Sequence, residues 1–311
     1  MSYISMRDEK EKRLFLEKIA KMYYINEMKQ NEIADQFSIG RSSVARFLKE
    51  ANELGIVEIH VNSIFDSERY NDLEHDILSK YKIKDCLVVN REKGNIANSV
   101  IEQYLDGVIP YKGVLGVGGG ETMFELGKHI WNLDSRHELS VVQLCGSLGQ
   151  TPETSVTKNW ADALSAKGVY MPAPLLAQSK ESREIFMDDP SINRAFEKIK
   201  NLSAIILSIG SSGKNHKNKY LSMFDNIDSE GVYERSIGDI MFRFFDEYGN
   251  FPFEELNSRI IGATVEDYLS TPLKIVVAYG ERKVQALTTA LDHDFIDVLI
   301  TDVDTAQGIL K

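Results

Sequence analysis

The 311-residue sequence predicts an α/β protein in two parts. A small all-α, winged helix-turn-helix domain is predicted first, and a larger Rossmann-like parallel-sheet domain follows it. Short helical patterns separated by a brief turn fill the first sixty residues and indicate the small domain. From about residue 82, short apolar runs rich in β-branched residues alternate with helical patterns, which is typical of a buried parallel sheet covered by helices. The predicted domains are residues 1–61 and 62–311.

Charge is distributed unevenly between the two predicted domains. The chain has 36 Lys and Arg against 47 Asp and Glu, a net charge of -11. Residues 1–60 are neutral, with ten residues of each sign, so residues 61–311 carry the whole acidic excess. Within the neutral segment, Arg41, Arg46 and Lys49 fall in a nine-residue stretch without an acid. That stretch is compatible with binding phosphate, although a solvated helix face is the alternative from charge alone.

Composition excludes several classes of protein. The two cysteines, Cys86 and Cys145, fit neither a disulfide framework nor a metal-ligand cluster, and they suit a reducing compartment. The charged start of the chain does not resemble a signal peptide, and no apolar run approaches the roughly 18 residues of a membrane span. We therefore expect a cytoplasmic protein with no membrane partner, no metal site and no cofactor.

Three helices and a strand are predicted in the small domain. Helices are expected over residues 14–25, 30–37 and from 41 to about 54, with a turn at residues 38–40. In the third helix, the apolar positions recur at intervals of three and four residues, which is typical of one buried face; they are Val44, Phe47, Leu48 and Ala51. Gly55 is placed to end that helix, and residues 56–61 alternate as a short strand.

Two short helices joined by a three-residue turn form a helix-turn-helix when the second helix can enter the major groove. Ala34 is small enough for a close helix crossing, and Val44 and Phe47 have the spacing that would hold the second helix against the first. The exposed face at the start of the third helix would carry groups that bind phosphate or bases, namely Arg41, Ser42, Ser43, Arg46 and Lys49. The alternative from this pattern is a purely structural helical bundle.

The large domain is predicted to be an open parallel sheet, and ligands in such sheets bind beyond the carboxyl ends of the strands. The predicted strands are residues 86–89, 114–117, 140–144, 169–171, 204–209, 259–261, 274–278 and 298–301. Three loops follow strands: Gly116–Met123, Gly210–Lys214 and Gly280–Gln285. The first, with its consecutive glycines before a helix, favours phosphate binding over a merely tight connection. For the second loop, anion binding and a merely flexible turn are equally compatible with the sequence. In the third loop, Lys283 could hold a phosphate, but a lysine considered alone is more often a solvated surface residue.

These stretches resemble the SorC-type family of bacterial sugar-operon regulators. The segment KIAKMYYINEMKQNEIADQFSIGRSSVARFLKEANELGIVEIHV is similar to the amino-terminal domain of that family, with Ser38 and Gly40 where the family has glycine and serine. The segments GVLGVGGGETM, VVQLCGSLG, SIGDIMFRFFDEYG and VAYGERKVQALTTALDHDFIDVLITDVDTAQGIL resemble its sugar-binding domain, in order. Together the resemblance covers nearly all of residues 14–311.

The resemblance implies a sugar-binding domain related to sugar-phosphate isomerases, operator DNA as a partner, and a homotetramer or dimer. It adds Gln30 to the DNA-binding residues. It also implies an effector site for a sugar or sugar phosphate, made of Gly118, Gly119, Gly120, Glu121, Thr122, Gln143, Asp239 and Lys283. Lys283 would contact phosphate. Glu121 is unusual in a loop that holds a dianion, so phosphate and an unphosphorylated hydroxyl both remain open there.

An enzyme is the alternative, namely a sugar-phosphate isomerase or deaminase that uses Glu121, Asp239 or Asp302 as an acid or base. No histidine spacing or nucleophile motif supports a catalytic set, and an appended helix-turn-helix has no purpose in such an enzyme. The sequence therefore predicts a DNA-binding transcriptional regulator of a carbohydrate-utilisation operon, controlled by a sugar or sugar phosphate.

Overall fold

The computed structural model describes residues 9–57, 69–91, 99–130, 133–147, 153–213 and 231–311. The chain divides into two compact units, Met1–Ile64 and Phe65–Lys311. The boundary predicted at residues 61 and 62 lies outside the described residues. None of the described helices is long and apolar enough to cross a membrane.

The described part of the first unit contains three helices. Helix α1 (Glu9–Ala20) runs into a π-helical turn (Lys21–Ile25), and α2 (Gln30–Phe37) and α3 (Arg41–Glu53) follow. Leu54 closes α3, and Gly55 next to it has the left-handed φ of 65° that favours glycine after a helix. Residues 58–61 of the predicted strand lie outside the described residues.

The core of the first unit joins all three helices. The four predicted positions of α3 are buried, and they pack with Leu16, Ile33 and Ala34. The Phe15 ring lies edge-on to Phe37 and to Phe47, with centroids 5.4 and 5.5 Å apart, so each of the three helices contributes a ring to this cluster.

The described residues of the second unit include a seven-stranded parallel sheet. The α/β parallel-sheet prediction is therefore confirmed. The strands are β1 (Asp85–Val89), β2 (Lys112–Val117), β3 (Glu138–Gln143), β4 (Lys167–Val169), β5 (Ala204–Leu207), β9 (Lys274–Val277) and β10 (Val298–Asp302). The order of these strands in the sheet is β1-β10-β9-β5-β2-β3-β4. From the centre of the sheet, β2, β3 and β4 follow in one direction and β5, β9 and β10 in the other, and β1 lies beside β10. The topological switch point therefore lies between the neighbouring strands β2 and β5.

Helices cover the large sheet, because strand residues are apolar towards both sides. In every strand of this sheet except β4, apolar residues enter two separate clusters, one on each face. The helices are α4 (Asn71–Lys80), α5 (Ser99–Val108), α6 (Glu121–His129), α7 (Glu153–Ala163), α8 (Lys180–Met187), α9 (Pro190–Ile199), α10 (Val232–Arg235), α11 (Glu254–Arg259), α12 (Val265–Leu269), α13 (Val284–Asp292) and α14 (Val303–Leu310).

A small antiparallel sheet stands apart from the large one and was not predicted. It consists of β6 (Gly210–Ser211), β7 (Gly238–Ile240) and β8 (Arg243–Phe245). The strand predicted at residues 259–261 is wrong, because α11 ends at Arg259 and Ile260 makes only an isolated bridge to Leu176. An apolar run this short does not distinguish a strand from a buried connection.

Candidate functional site

Two regions of the chain could carry function, and the first is the helix pair α2 and α3. Ser38 ends α2 in the left-handed conformation, with φ 52° and ψ 44°. The turn is held by Ile39, whose N–H donates to the Ala34 carbonyl at 2.9 Å. Serine therefore takes the conformation in which the family has glycine, and Gly40 is extended, with φ −75°, which any residue can adopt.

The exposed face of α3 carries most of the predicted DNA-binding residues. Arg41, Ser42, Arg46 and Lys49 are exposed, whereas Ser43 and Gln30 are partly buried. Lys49 lies 3.7 Å from Glu53 one turn later, and Glu50 forms an ion pair with Lys12 of α1. The first three turns of α3 thus offer cationic and hydroxyl groups to solvent, which is the chemistry that contacts phosphates and base edges.

The second region is a pocket at the topological switch point of the large sheet. It encloses about 590 Å³, open solvent at its mouth included. The loop after β2 forms one wall, the end of β5 forms another, and the hairpin β7–β8 forms a third. The lining residues are Gly118, Gly119, Gly120, Cys145, Gly146, Leu175, Leu207, Ser208, Asp239, Met241 and Phe242.

Two glycines of the loop after β2 are required by geometry. A Cβ at Gly118 would lie 2.6 Å from Leu207 Cβ, closer than side chains pack. Gly120 has φ 97°, a conformation that L side chains rarely adopt, and it precedes the first residue of α6. The loop can therefore pass close to β5 and leave its backbone beside the pocket.

Asp239 and Ser208 line the polar side of the pocket, and Lys283, which is not in the lining, is bonded to Ser208. Asp239 Oδ2 accepts the Phe242 N–H at 3.1 Å, and the Lys283 Nζ donates to Ser208 Oγ at 2.7 Å. Burial lowers the pKa of Lys283 to about 8, although Asp239 acts in the opposite direction. Asp239 and Lys283, which were predicted from separate stretches, are thus electrostatic neighbours.

Glu121 and Thr122 occupy the first turn of α6, next to the pocket rather than in its lining. Glu121 is exposed, and its charge contributes to raising the pKa of Lys283, against the larger effect of burial. Thr122 is partly buried. A carboxylate in the first turn of a helix interacts favourably with the helix dipole.

Gln143 is buried at the end of β3, and both ends of its amide are engaged by the backbone. Its Nε2 donates to the Cys145 carbonyl at 2.6 Å, and its Oε1 accepts the Met171 N–H at 3.2 Å. Gln143 thereby fixes the path of the chain into Cys145 and Gly146, which line the pocket. Direct contact between Gln143 and a ligand stays a prediction.

Several lining residues were missed at the level of sequence. Met241 and Phe242 form the two-residue turn of the β7–β8 hairpin, with φ values of 55° and 63°. Such turns strongly prefer Asn and Gly, so their bulky side chains gave no turn signal. Ser208 could have been noticed, because it follows directly after the buried strand β5. The predicted loop Gly280–Gln285 contains Lys283, which bonds to Ser208. Of the predicted loop Gly210–Lys214, only the first four residues are described.

Chemically, the pocket can bind hydroxyl groups through Asp239 and Ser208, and apolar carbon through Met241 and Phe242. Among the described residues, no group of three or more His, Cys, Asp or Glu side chains could hold a metal ion.

Comparisons with known proteins cover both units of the chain. Residues 66–311 match the family model "Sugar-bind", a sugar-binding domain. The chain is 26% identical to the deoxyribonucleoside regulator of Bacillus subtilis strain 168, over 97% of this chain and 99% of that protein. It is 24% identical to the transcriptional regulator LsrR of Escherichia coli O157:H7, over 94% and 93%.

Solved structures show the same fold. The full-length sorbitol operon regulator SorC from Klebsiella pneumoniae superposes with a TM-score of 0.67 and 22% identity, covering 97% of this chain and 100% of that one. A DeoR family transcriptional regulator from Listeria monocytogenes superposes with a TM-score of 0.67 and 22% identity, covering 77% of this chain and 98% of that one. The named relatives are regulators, which favours the predicted regulator over the enzyme alternative. The chain belongs to the sugar-binding family of SorC-type regulators and is a sugar-responsive transcriptional regulator.

Proposed function

We propose that the chain regulates a carbohydrate-utilisation operon by binding operator DNA through α3 and a sugar effector in the switch-point pocket. The observation that supports this proposal is the pocket itself, because Asp239 and Ser208 line it, and Lys283 bonds to Ser208, next to strand ends of the kind at which open α/β sheets bind ligands. The names of the relatives support a carbohydrate-related effector, since one is a deoxyribonucleoside regulator and another a sorbitol operon regulator.

In this proposal α3 is the recognition helix. Arg41 and Arg46 contact phosphates or guanine edges, Ser42, Ser43 and Lys49 add hydroxyl and ammonium groups, and Gln30 contacts the backbone from the start of α2. The exposure of Arg41, Arg46 and Lys49 supports these roles. The acidic excess downstream should repel DNA, so contact would be confined to the first unit.

The effector would act by a population shift. A sugar that binds one arrangement of a homotetramer or dimer more tightly would favour that arrangement, and the spacing of paired helix-turn-helix units would change with it. Oligomerisation is expected on physical grounds as well, since one neutral domain with few basic residues binds DNA weakly.

The DNA-binding role is tested by Arg41→Ala and Arg46→Ala, with Lys21→Ala as a matched control. Lys21 is also an exposed cation of the first unit, but it pairs with Glu17 on α1, at 2.6 Å. Binding to DNA from upstream of the gene is measured by fluorescence anisotropy at several salt concentrations. If the arginine reads a base, its replacement should cost about 1–3 kcal/mol of binding free energy. If the arginine holds a phosphate, its replacement should reduce the slope of log affinity against log salt concentration by about 1.

Circular dichroism should show that both variants remain folded, because neither arginine is buried. If both arginine variants bind DNA as tightly as the Lys21→Ala control, and with the same salt slope, α3 is not the recognition helix.

A further inference from the structure

Given the proposed function, on which this inference depends, we propose that the effector is an unphosphorylated sugar or polyol. Its hydroxyl groups would lie between Asp239 and Ser208, and its carbon face would lie against Met241 and Phe242. Phosphorylation of the same sugar would weaken binding rather than strengthen it.

The first argument is the charge of the pocket. Among the described lining residues, Asp239 is the single charged side chain, and it is negative. Lys283 is absent from the lining and donates to Ser208, and the charges that act on its ammonium group are those of Arg282, Asp239 and Glu121. Within this group of four, the two cations and the two carboxylates balance. A phosphate monoester would bring a charge of about −1.5 to −2 into this balanced set.

The second argument is the amino end of α6, the part of the pocket that would otherwise suit an anion. The helix begins after Gly120 without a side-chain cap, and such an end attracts negative charge. Here the first residue of the helix is Glu121, whose carboxylate already interacts with the dipole from within the chain. A phosphate at this helix end would be repelled by Glu121, whereas a neutral hydroxyl oxygen would not be.

The third argument is the match between the remaining groups and a polyol. Asp239 Oδ2 accepts the Phe242 N–H, and because a carboxylate has about four lone-pair sites, it can also accept from ligand hydroxyls. Ser208 accepts from Lys283 and keeps its own O–H to donate. In the same pocket, the Met241–Phe242 turn presents apolar side chains that suit the C–H face of a sugar.

The experiment uses the full chain and isothermal titration with matched pairs of ligands. The pairs are ribose and ribose 5-phosphate, 2-deoxyribose and its 5-phosphate, fructose and fructose 6-phosphate, and sorbitol and sorbitol 6-phosphate. At least one unphosphorylated member should bind, and its phosphorylated partner should bind at least tenfold more weakly. Inorganic phosphate should not compete with the bound sugar.

A charge variant tests the cause of the preference. Glu121→Gln should shift the affinity ratio within the pair at least fivefold towards the phosphorylated member, because it removes the repelling carboxylate. The matched control is Glu125→Gln, one turn further along α6, where the carboxylate pairs with Lys128 at 2.7 Å. The control should leave the ratio within twofold of the wild-type value.

The outcomes separate this inference from the proposed function. A phosphorylated member that binds as tightly as its parent sugar, or more tightly, overturns the inference and leaves sugar regulation intact. A ratio that moves equally in both glutamate variants also overturns it, since Glu121 would then have no specific effect. Binding by no member of any pair counts against both the inference and the proposed function.

Discussion

Replacing Gly118 by alanine should damage the protein at the point where the pocket wall meets the sheet. Gly118 follows β2 directly, and its N–H donates to the Ile206 carbonyl of β5 at 2.9 Å. The added methyl carbon would lie 2.6 Å from Leu207 Cβ and 3.3 Å from Leu207 Cα. Leu207 is a buried residue of the same strand, so the contact cannot be relieved by turning a flexible side chain towards solvent.

The size of the effect follows from this distance. Ordinary carbon contacts are about 3.5–4.0 Å, so β2 and β5 must separate locally by roughly 1 Å. Overpacking of this kind typically costs about 1–3 kcal/mol of unfolding free energy. In a unit of this size each kcal/mol lowers the melting temperature by about 2–4 °C. The affinity for a sugar should fall as well, because Gly118 lines the pocket.

The assay is thermal unfolding of the full chain with Gly107→Ala as the control. Gly107 lies in α5, is exposed, and would present its new methyl group to open space. The same chemical change there should stabilise the protein by about 0.4–1 kcal/mol, because alanine favours the helix and restricts the unfolded chain.

Opposite signs for the two substitutions would support the described contact between β2 and β5. A Gly118→Ala protein that melts at or above the wild-type temperature would show that the loop is not held against Leu207, and the pocket geometry would have to be abandoned.

Two further predictions concern groups around the pocket. The contribution of Lys283 to the free energy of unfolding should rise between about pH 8 and 10.5, because over that interval the unfolded chain keeps a proton on Lys283 that the folded chain has lost. Urea unfolding across this pH range should therefore show a smaller rise for Lys283→Met than for the wild type, and an equal rise in both would contradict the lowered pKa. Gln143→Leu should lower the free energy of unfolding by about 1–3 kcal/mol for each backbone group that it leaves without a partner, namely the Met171 N–H and the Cys145 carbonyl. A total loss below about 1 kcal/mol in urea unfolding would mean that these hydrogen bonds are not made.

Much of the fold could be predicted from the sequence, because local periodicity governs the helices and the buried strands. The stripe of Val44, Phe47, Leu48 and Ala51 is buried as predicted. Seven of the eight predicted strands match strands of the parallel sheet to within a few residues. In each case the pattern of apolar residues matches the period of the element that buries them.

The pocket walls could not be predicted to the same extent, because they depend on tertiary contacts. Nothing local indicates that Met241 and Phe242 take left-handed conformations, which side chains of that size disfavour. The bond from Lys283 to Ser208 joins residues 75 positions apart, and only the order of the strands brings them together. The resemblance to a family supplied Asp239 and Lys283, but not the hairpin that holds Asp239.

The central claim is that a sugar bound in the switch-point pocket changes the affinity of α3 for DNA. The most direct measurement is the Kd for DNA from upstream of the gene, with and without the sugar that most raises the melting temperature. In the wild-type protein the sugar should change this Kd by about 5- to 150-fold, and Asp239→Asn should respond at least tenfold less at the same concentration. An unchanged Kd in the wild type, or an equal response in Asp239→Asn, would contradict the account.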